Sequence, residues 1–351
     1  MSAAGAIATI LFFCFGLPLL ARLPVSGLNS TEPRDLLRAL GFSDSEIGSI
    51  DRGQPLAKVV DTDRRQIAVA GAVRIRSKRD RLLLRYRSVE YLKGGEMVLN
   101  VGTFSNPPRA EDLHPLPFEE YDLDLRDCRP GDCRVRLSVE DIARFHREVD
   151  WNGSDWRTKS AAVWRDLLAG YGAVFRSRGP AALPIYANKP EALSVRDEFQ
   201  VLLGESTFLS TLAPEFWSYL RDRSAVPAAG LETMLYWSKE DFGVRPVMRV
   251  TEQTVYTSKA GDGSTPAIVA TTQVYADHYL DAALGLTLAL ETDASGSNPC
   301  FYLISVNRAR TRSLTGFFRT MVRSAVQNRS RDAMLKILKS TKLSLEAVSA
   351  R

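Results

Sequence analysis

Two periods alternate along the chain. In Gln66–Arg76, Ile67, Val69, Val73 and Ile75 recur at every second position, the pattern of a strand. Arg79–Lys93 moves to helical spacing, with Leu82, Leu83, Tyr86, Val89 and Leu92 on one side and Gly94-Gly95 as the stop. Met97–Phe104 returns to strand. Ser105-Asn106-Pro107-Pro108 then opens a polar, turn-rich stretch. From Ser138 to about Arg223 the spacing is helical. Ser138 and Asp141 form a capping box ahead of Ile142, Phe145 and Val149, and Trp164, Leu168, Tyr171 and Phe175 make one stripe along Trp156–Arg178. Shorter helices are expected at Ser194–Leu203 and Pro214–Arg221. From Glu232 the period is two again, predicting strands at Thr233–Glu240, Pro246–Ser258, Ala267–Asp277, Leu280–Thr292 and Phe301–Arg310. Their links are short, with turns at Gly261-Asp262-Gly263 and Ser295–Pro299, so neighbouring strands should run antiparallel. Leu314–Leu343 reads as a long terminal helix. Thr31–Gly41 and Ser43–Ile50 read as short helices ahead of the first strand.

The order strand, helix, strand, then five antiparallel strands and a long terminal helix resembles the START-like helix-grip superfamily. The resemblance covers Gln66–Phe104 and Glu232–Leu345 and rests on element order, since no motif of that superfamily is matched. It implies an α+β fold: a curved antiparallel sheet gripping the C-terminal helix around an apolar cavity, with residues 105–231 as a large helical insertion after the second strand. The expected organisation is a signal segment at 1–27, an N-terminal helical segment at 28–65, the first part of the grip domain at 66–104, the insertion at 105–231, and sheet plus terminal helix at 232–351. VLNVGTFSNPP and CRPGDC are also similar to stretches in uncharacterised exported bacterial proteins.

Composition narrows the setting. With 45% hydrophobic and 25% charged residues among 351, the chain has ordinary globular proportions. Ala6–Leu20 is apolar apart from Gly16 and Pro18, and its length suits a signal h-region better than a membrane span of roughly 20 residues. Export to a periplasmic or secreted location is the expectation, with cleavage after Gly27 or Ala21. No Lys or Arg precedes the run, so an uncleaved anchor is the alternative. Cys128 and Cys133 bracket Arg-Pro-Gly-Asp, a turn able to bring them into disulfide reach; Cys14 lies in the signal and Cys300 is left over. From Arg308 to Arg351 eleven Lys or Arg face only Asp332 and Glu346, which leaves the rest of a chain of net charge +5 slightly acidic. The basic end is either a solvated helix face or a docking surface for anionic membrane; nucleic acid is not expected as a partner.

Candidate chemistry concentrates in Tyr275-Ala276-Asp277-His278-Tyr279-Leu280-Asp281. His278 beside carboxylates suits a general base, with Asp277 and Asp281 as catalytic companions; a structural histidine bonded to a backbone carbonyl is the other reading. Strand alternation would put Asp277 and His278 on opposite faces. Candidate ligand contacts are Trp237, Arg249, Glu252, Tyr256, Tyr275, His278, Arg308 and Arg310. Glu252 and Tyr256 should share a face with Met248 and Val250, with Arg249 on the other, and a buried Glu252 requires a partner. No nucleotide-loop, nucleophile-elbow or zinc-protease motif occurs, and three histidines make a metal site improbable, so neither metal nor cofactor is expected. Two functions follow: an exported binding protein for a lipid or other apolar molecule held between sheet and terminal helix, or an exported hydrolase, cyclase or isomerase using His278 with nearby carboxylates. A structural envelope protein binding partners through its insertion is a third.

Overall fold

The computed structural model describes residues 32–88, 97–223, 230–242, 245–257, 266–291, 299–312 and 319–349. The expected signal segment, the Gly94-Gly95 stop and the two Gly-rich turns of the C-terminal half lie outside them. Ten α-helices are described. They are α1 (Pro33–Ala39), α2 (Asp44–Asp51), α3 (Arg79–Tyr86), α4 (Glu120–Leu123), α5 (Val139–Glu148), α6 (Trp156–Arg178), α7 (Val195–Gly204), α8 (Phe208–Leu212), α9 (Pro214–Arg221) and α10 (Arg319–Ser349). The strands are β1 (Leu56–Val59), β2 (Gln66–Ile75), β3 (Val98–Thr103), the short pair β4 (Ile185–Tyr186) and β5 (Leu193–Ser194), then β6 (Leu231–Asp241), β7 (Pro246–Thr257), β8 (Ala267–Ala276), β9 (Ala282–Glu291) and β10 (Phe301–Arg310).

Eight strands form one open antiparallel sheet in the order β1-β2-β10-β9-β8-β7-β6-β3. The expected α+β class holds: a large antiparallel sheet, a C-terminal helix packed on it, and a helical insertion between β3 and β6. The sheet has one strand more than the sequence pattern suggests. Four-residue β1 pairs with the far edge of β2 and adds a strand ahead of it; the insertion begins where expected, directly after Val98–Thr103.

The sheet has a helical layer on each face. Even-numbered residues of β7 such as Met248, Val250 and Tyr256, with Leu284, Leu286 and Leu288 of β9, share one core with Trp164, Phe175, Phe199 and Phe216 of the insertion and with Leu36, Leu37 and Ile50 of α1 and α2. The insertion is therefore part of the domain's own core, not a separate body. On the other face Val69, Val73, Phe301 and Leu303 meet Leu82 and Leu83 of α3 and Met334, Leu338 and Leu345 of α10. Met334, Leu338, Thr341 and Leu345 are the buried stripe of α10, spaced for one helix face. Their burial is worth roughly 1.5–3 kcal/mol for each large apolar side chain, and it ties the terminal helix to β1 and β2. The fit is tight: a Cβ on Gly71 of β2 would lie 2.7 Å from Met334 Cγ and 2.8 Å from Leu338 Cδ1.

Local signals explain most boundaries. The Ser138–Asp141 capping box forms as expected, each residue bonding the other's backbone N–H. Helix α6 spans Trp156–Arg178 and ends at Gly179, whose φ of +58° disfavours other residues. Among the described residues no helix is long and apolar enough to cross a membrane.

Candidate functional site

Strand β8 stops at Ala276, and the chain then turns through Asp277–Asp281 before β9. Tyr279 sits in the left-handed region at φ +55°, rare for a residue with a bulky side chain. Its carbonyl is clamped from two sides, accepting from Arg136 Nη2 at 3.0 Å and Thr311 Oγ1 at 2.5 Å. Backbone strain of this kind persists only where the surroundings over-determine it.

The turn also brings Asp277 and His278 together. Asp277 is fully buried; its Oδ1 accepts from Met248 N at 2.9 Å, and its Oδ2 lies 3.0 Å from His278 Nδ1. The contact is at ion-pair distance but out of line for a hydrogen bond, so Asp277 Oδ2 and both imidazole nitrogens are buried without a hydrogen-bond partner. Burial raises the Asp277 carboxyl above its ordinary value, outweighing the opposing pull of His278. The alternation expected along β8 does not extend this far: the strand has ended, and the two neighbouring side chains are free to meet. The carbonyl-bonded histidine does not occur either. The ring is instead flanked by Tyr121 and Tyr279, each centroid 5.7 Å away.

Asp281 closes the turn. It too is fully buried, hydrogen-bonded to Arg136 Nη2 and 3.6 Å from Arg65 Nη2. Burial raises its carboxyl as well, against the lowering effect of Arg136 and Arg312.

These residues form one wall of a cleft of about 580 Å³. Arg134 and Arg136 make the second wall, just beyond the Cys128–Cys133 disulfide, which forms as expected with Cα atoms 4.4 Å apart. Segment Asn188–Glu191 between β4 and β5 makes the third, and Arg312 after β10 the fourth. The disulfide loop holds the third wall through two backbone bonds, Gly131 N to Ala187 O at 2.7 Å and Cys133 N to Asn188 O at 3.1 Å. His146 Nε2, 2.6 Å from Cys128 O, steadies the same loop. Tyr121 stands beside His278 because its segment is anchored by the buried Lys239, whose Nζ donates to Pro117 O and Asp122 Oδ2.

Of the residues singled out in the sequence, His278, Asp277 and Asp281 line this cleft; the other candidates do not. Trp237 points into the helical layer and donates from Nε1 to Asp112 O. Arg249 faces the opposite side, as expected, and pairs with Glu240 at 2.8 Å. Glu252 is buried under the insertion in a two-pronged pair with Arg223, which stacks on Phe175 and Tyr219. Tyr256 stacks on Phe216. Tyr275 is a supporting residue: it stacks on Tyr171, and its hydroxyl donates to Arg136 O at 2.8 Å. Arg308 and Arg310 are not at the surface. Arg308 pairs with Glu205, and Arg310 with Glu198 and Asp63, tying β10 to α7 and to the start of β2. Arg134, Arg136, Lys189 and Tyr121 escaped the sequence reading; the only available signal was the alternation Arg134-Val135-Arg136 after the cysteine loop.

Among the described residues no cluster of His, Cys, Asp and Glu is suited to a metal ion. No family model, no curated protein and no solved structure matches this chain.

Proposed function

We propose that the protein is an acid–base enzyme (a hydrolase, cyclase or isomerase) acting on a small molecule in the cleft at the end of β8. The observation that carries this reading is the Asp277–His278 contact of 3.0 Å on the wall of a cleft large enough for a ligand. Asp277 Oδ2, 3.0 Å from Nδ1, would accept an Nδ1–H once a small rotation of the ring brings the pair into line, which leaves Nε2 as the proton acceptor. When Nε2 takes a proton, the imidazolium forms beside the buried carboxylate and is stabilised by it. Both ring nitrogens are buried with the Tyr121 and Tyr279 rings alongside, and this reading takes one of those rings to shift as substrate enters. The strained Tyr279 backbone supports this, because such strain gathers at working sites.

The carrier reading, a lipid between sheet and α10, draws less support: at Gly71 that seam is filled by Met334 and Leu338. The test is turnover of a panel of small carboxylate and phosphate esters, followed by proton release, in the wild type, His278→Asn and Asp277→Asn. The expected result is turnover of at least one ester, reduced about 10²–10⁴-fold by His278→Asn. Turnover that survives both substitutions unchanged rules the reading out. So does a wild type that turns over nothing but carries a stoichiometric apolar adduct in native mass spectrometry, which would restore the carrier.

A further inference from the structure

Positive charge gathers around the cleft beyond what its acids neutralise. Arg136 is 8% exposed, and its guanidinium is only half used: Nη2 donates to Asp281 and to Tyr279 O, while Nη1 is buried with no partner. Lys189 lines the cleft with no carboxylate at ion-pair distance among the described residues. Arg134 spends its guanidinium on the Tyr121 carbonyl, at 3.0–3.1 Å, and on the face of the Tyr121 ring. Arg245 stacks on the same ring, 3.4 Å from its centroid. Arg312 makes one ion pair, with Glu191 at 3.8 Å, a side chain 92% exposed, and its charge also acts on Asp281. The buried acids give little relief. Asp281 is claimed by Arg136 and flanked by Arg65, and Asp277 is taken up by His278.

We infer that the cleft is an anion site: its ligand carries a phosphate or carboxylate group held by Arg136, Lys189 and Arg312 next to His278. The inference rests on the cleft being the working site and specifies what that site accepts. A planar guanidinium with a free, desolvated N–H matches the oxygens of either anion, and the lysine and second arginine supply charge at the mouth. The anion then fixes one end of the substrate, leaving its reacting atoms at the imidazole.

Isothermal titration of the full chain at low salt, with inorganic phosphate in one arm and succinate in the other against a chloride control, tests this. Saturable binding of at least one anion is expected, weakened by added salt, and the arm that binds identifies the group. Lys189→Gln with Arg312→Gln, which change side chains at the cleft mouth, should weaken binding by about tenfold per lost cation. Arg136→Lys should weaken it further. His278→Asn should leave anion binding in place, which separates the two ideas. If the esters are turned over but neither anion binds, or if binding is indifferent to the Lys189 and Arg312 changes, the anion site is wrong while the acid–base reading stands. If the anion binds as expected and no ester is turned over, the reverse holds.

Discussion

Asp277 and His278 are adjacent in sequence, yet their side chains meet, Oδ2 lying 3.0 Å from Nδ1. Consecutive residues on a strand point to opposite faces, so this contact exists only because β8 ends at Ala276 and the backbone reverses through Tyr279. The reversal in turn depends on Arg136 and Thr311 gripping the Tyr279 carbonyl. A local pairing is thus held in place by residues 143 and 32 positions away in sequence.

The cost of keeping Asp277 in that place is readable in pH. Burial raises its carboxyl above the ordinary value of 3.8. The fold therefore favours the neutral acid: that stability is complete below about pH 4 and is lost as pH rises through the raised folded value. Asp277→Asn keeps the shape and removes the charge. It should melt higher than the wild type at pH 7.5, with the gap closing as pH falls toward 4, while losing the activity that depends on His278. Differential scanning calorimetry at several pH values decides it; a gap that stays constant across the range contradicts the assignment.

Glu252 makes the opposite case, a buried carboxylate whose partner is in place. Arg223 meets it with both terminal nitrogens beneath the insertion. Glu252→Ala leaves the guanidinium buried and unmatched, and should destabilise by about 3–5 kcal/mol. Replacing both residues with Met should recover most of that loss, because the pair itself is costly to desolvate. Urea midpoints of Glu252→Ala and of the Met–Met double variant measure this, and a double variant no more stable than Glu252→Ala would refute it.

How far the sequence foretold all this varies with how local the cause is. Strands β6 to β10 and helix α6 were legible because each element carries its own period, and the Ser138–Asp141 box because both partners lie within one turn of helix. Strand β1 was not: Leu56-Ala57-Lys58-Val59 is too short to show alternation, and all four residues are only half-buried. The need for a Glu252 partner was legible, but its identity was not, since Arg223 follows α9 and reaches β7 only through packing of the insertion. Arg308 and Arg310 at the end of β10 read as surface charge, because nothing near them in sequence announces Glu198, Glu205 or Asp63. The cleft was half visible. Asp277, His278 and Asp281 stand out by type, whereas Arg136 becomes a site residue only when a carboxylate 145 positions away receives it.

The disulfide should matter to the cleft more than to the fold. Its loop is so short that chain entropy accounts for only about 2 kcal/mol. Yet Gly131 and Cys133 supply the backbone bonds that hold Ala187 and Asn188, and Arg134 and Arg136 follow directly. Cys128→Ser with Cys133→Ser should lower the melting temperature by only a few degrees. The same pair should loosen the loop's grip on the Asn188–Glu191 wall, seen as faster exchange of the two donor amides, at Gly131 and at position 133. Protection unchanged at those two amides would show that the disulfide does not support the wall.

Gly71 tests whether α10 is clamped to the sheet or merely rests on it. A Cβ there would come within 2.7 Å of Met334 Cγ, 2.8 Å of Leu338 Cδ1 and 3.2 Å of Leu56 O, so the helix, the side chains or β1 must give way. Gly71→Ala should destabilise by about 1–3 kcal/mol, the usual effect of overpacking a filled core. Met334 is the more flexible obstacle, and shortening it makes room. In a double-mutant cycle Met334→Ala alone should also destabilise, by about 2–5 kcal/mol, and the two changes together should cost less than their sum. Strict additivity would mean that the methyl group is accommodated elsewhere, by movement of α10 along β2. In that event the seam between sheet and helix is deformable, and an apolar ligand there regains its standing against the cleft.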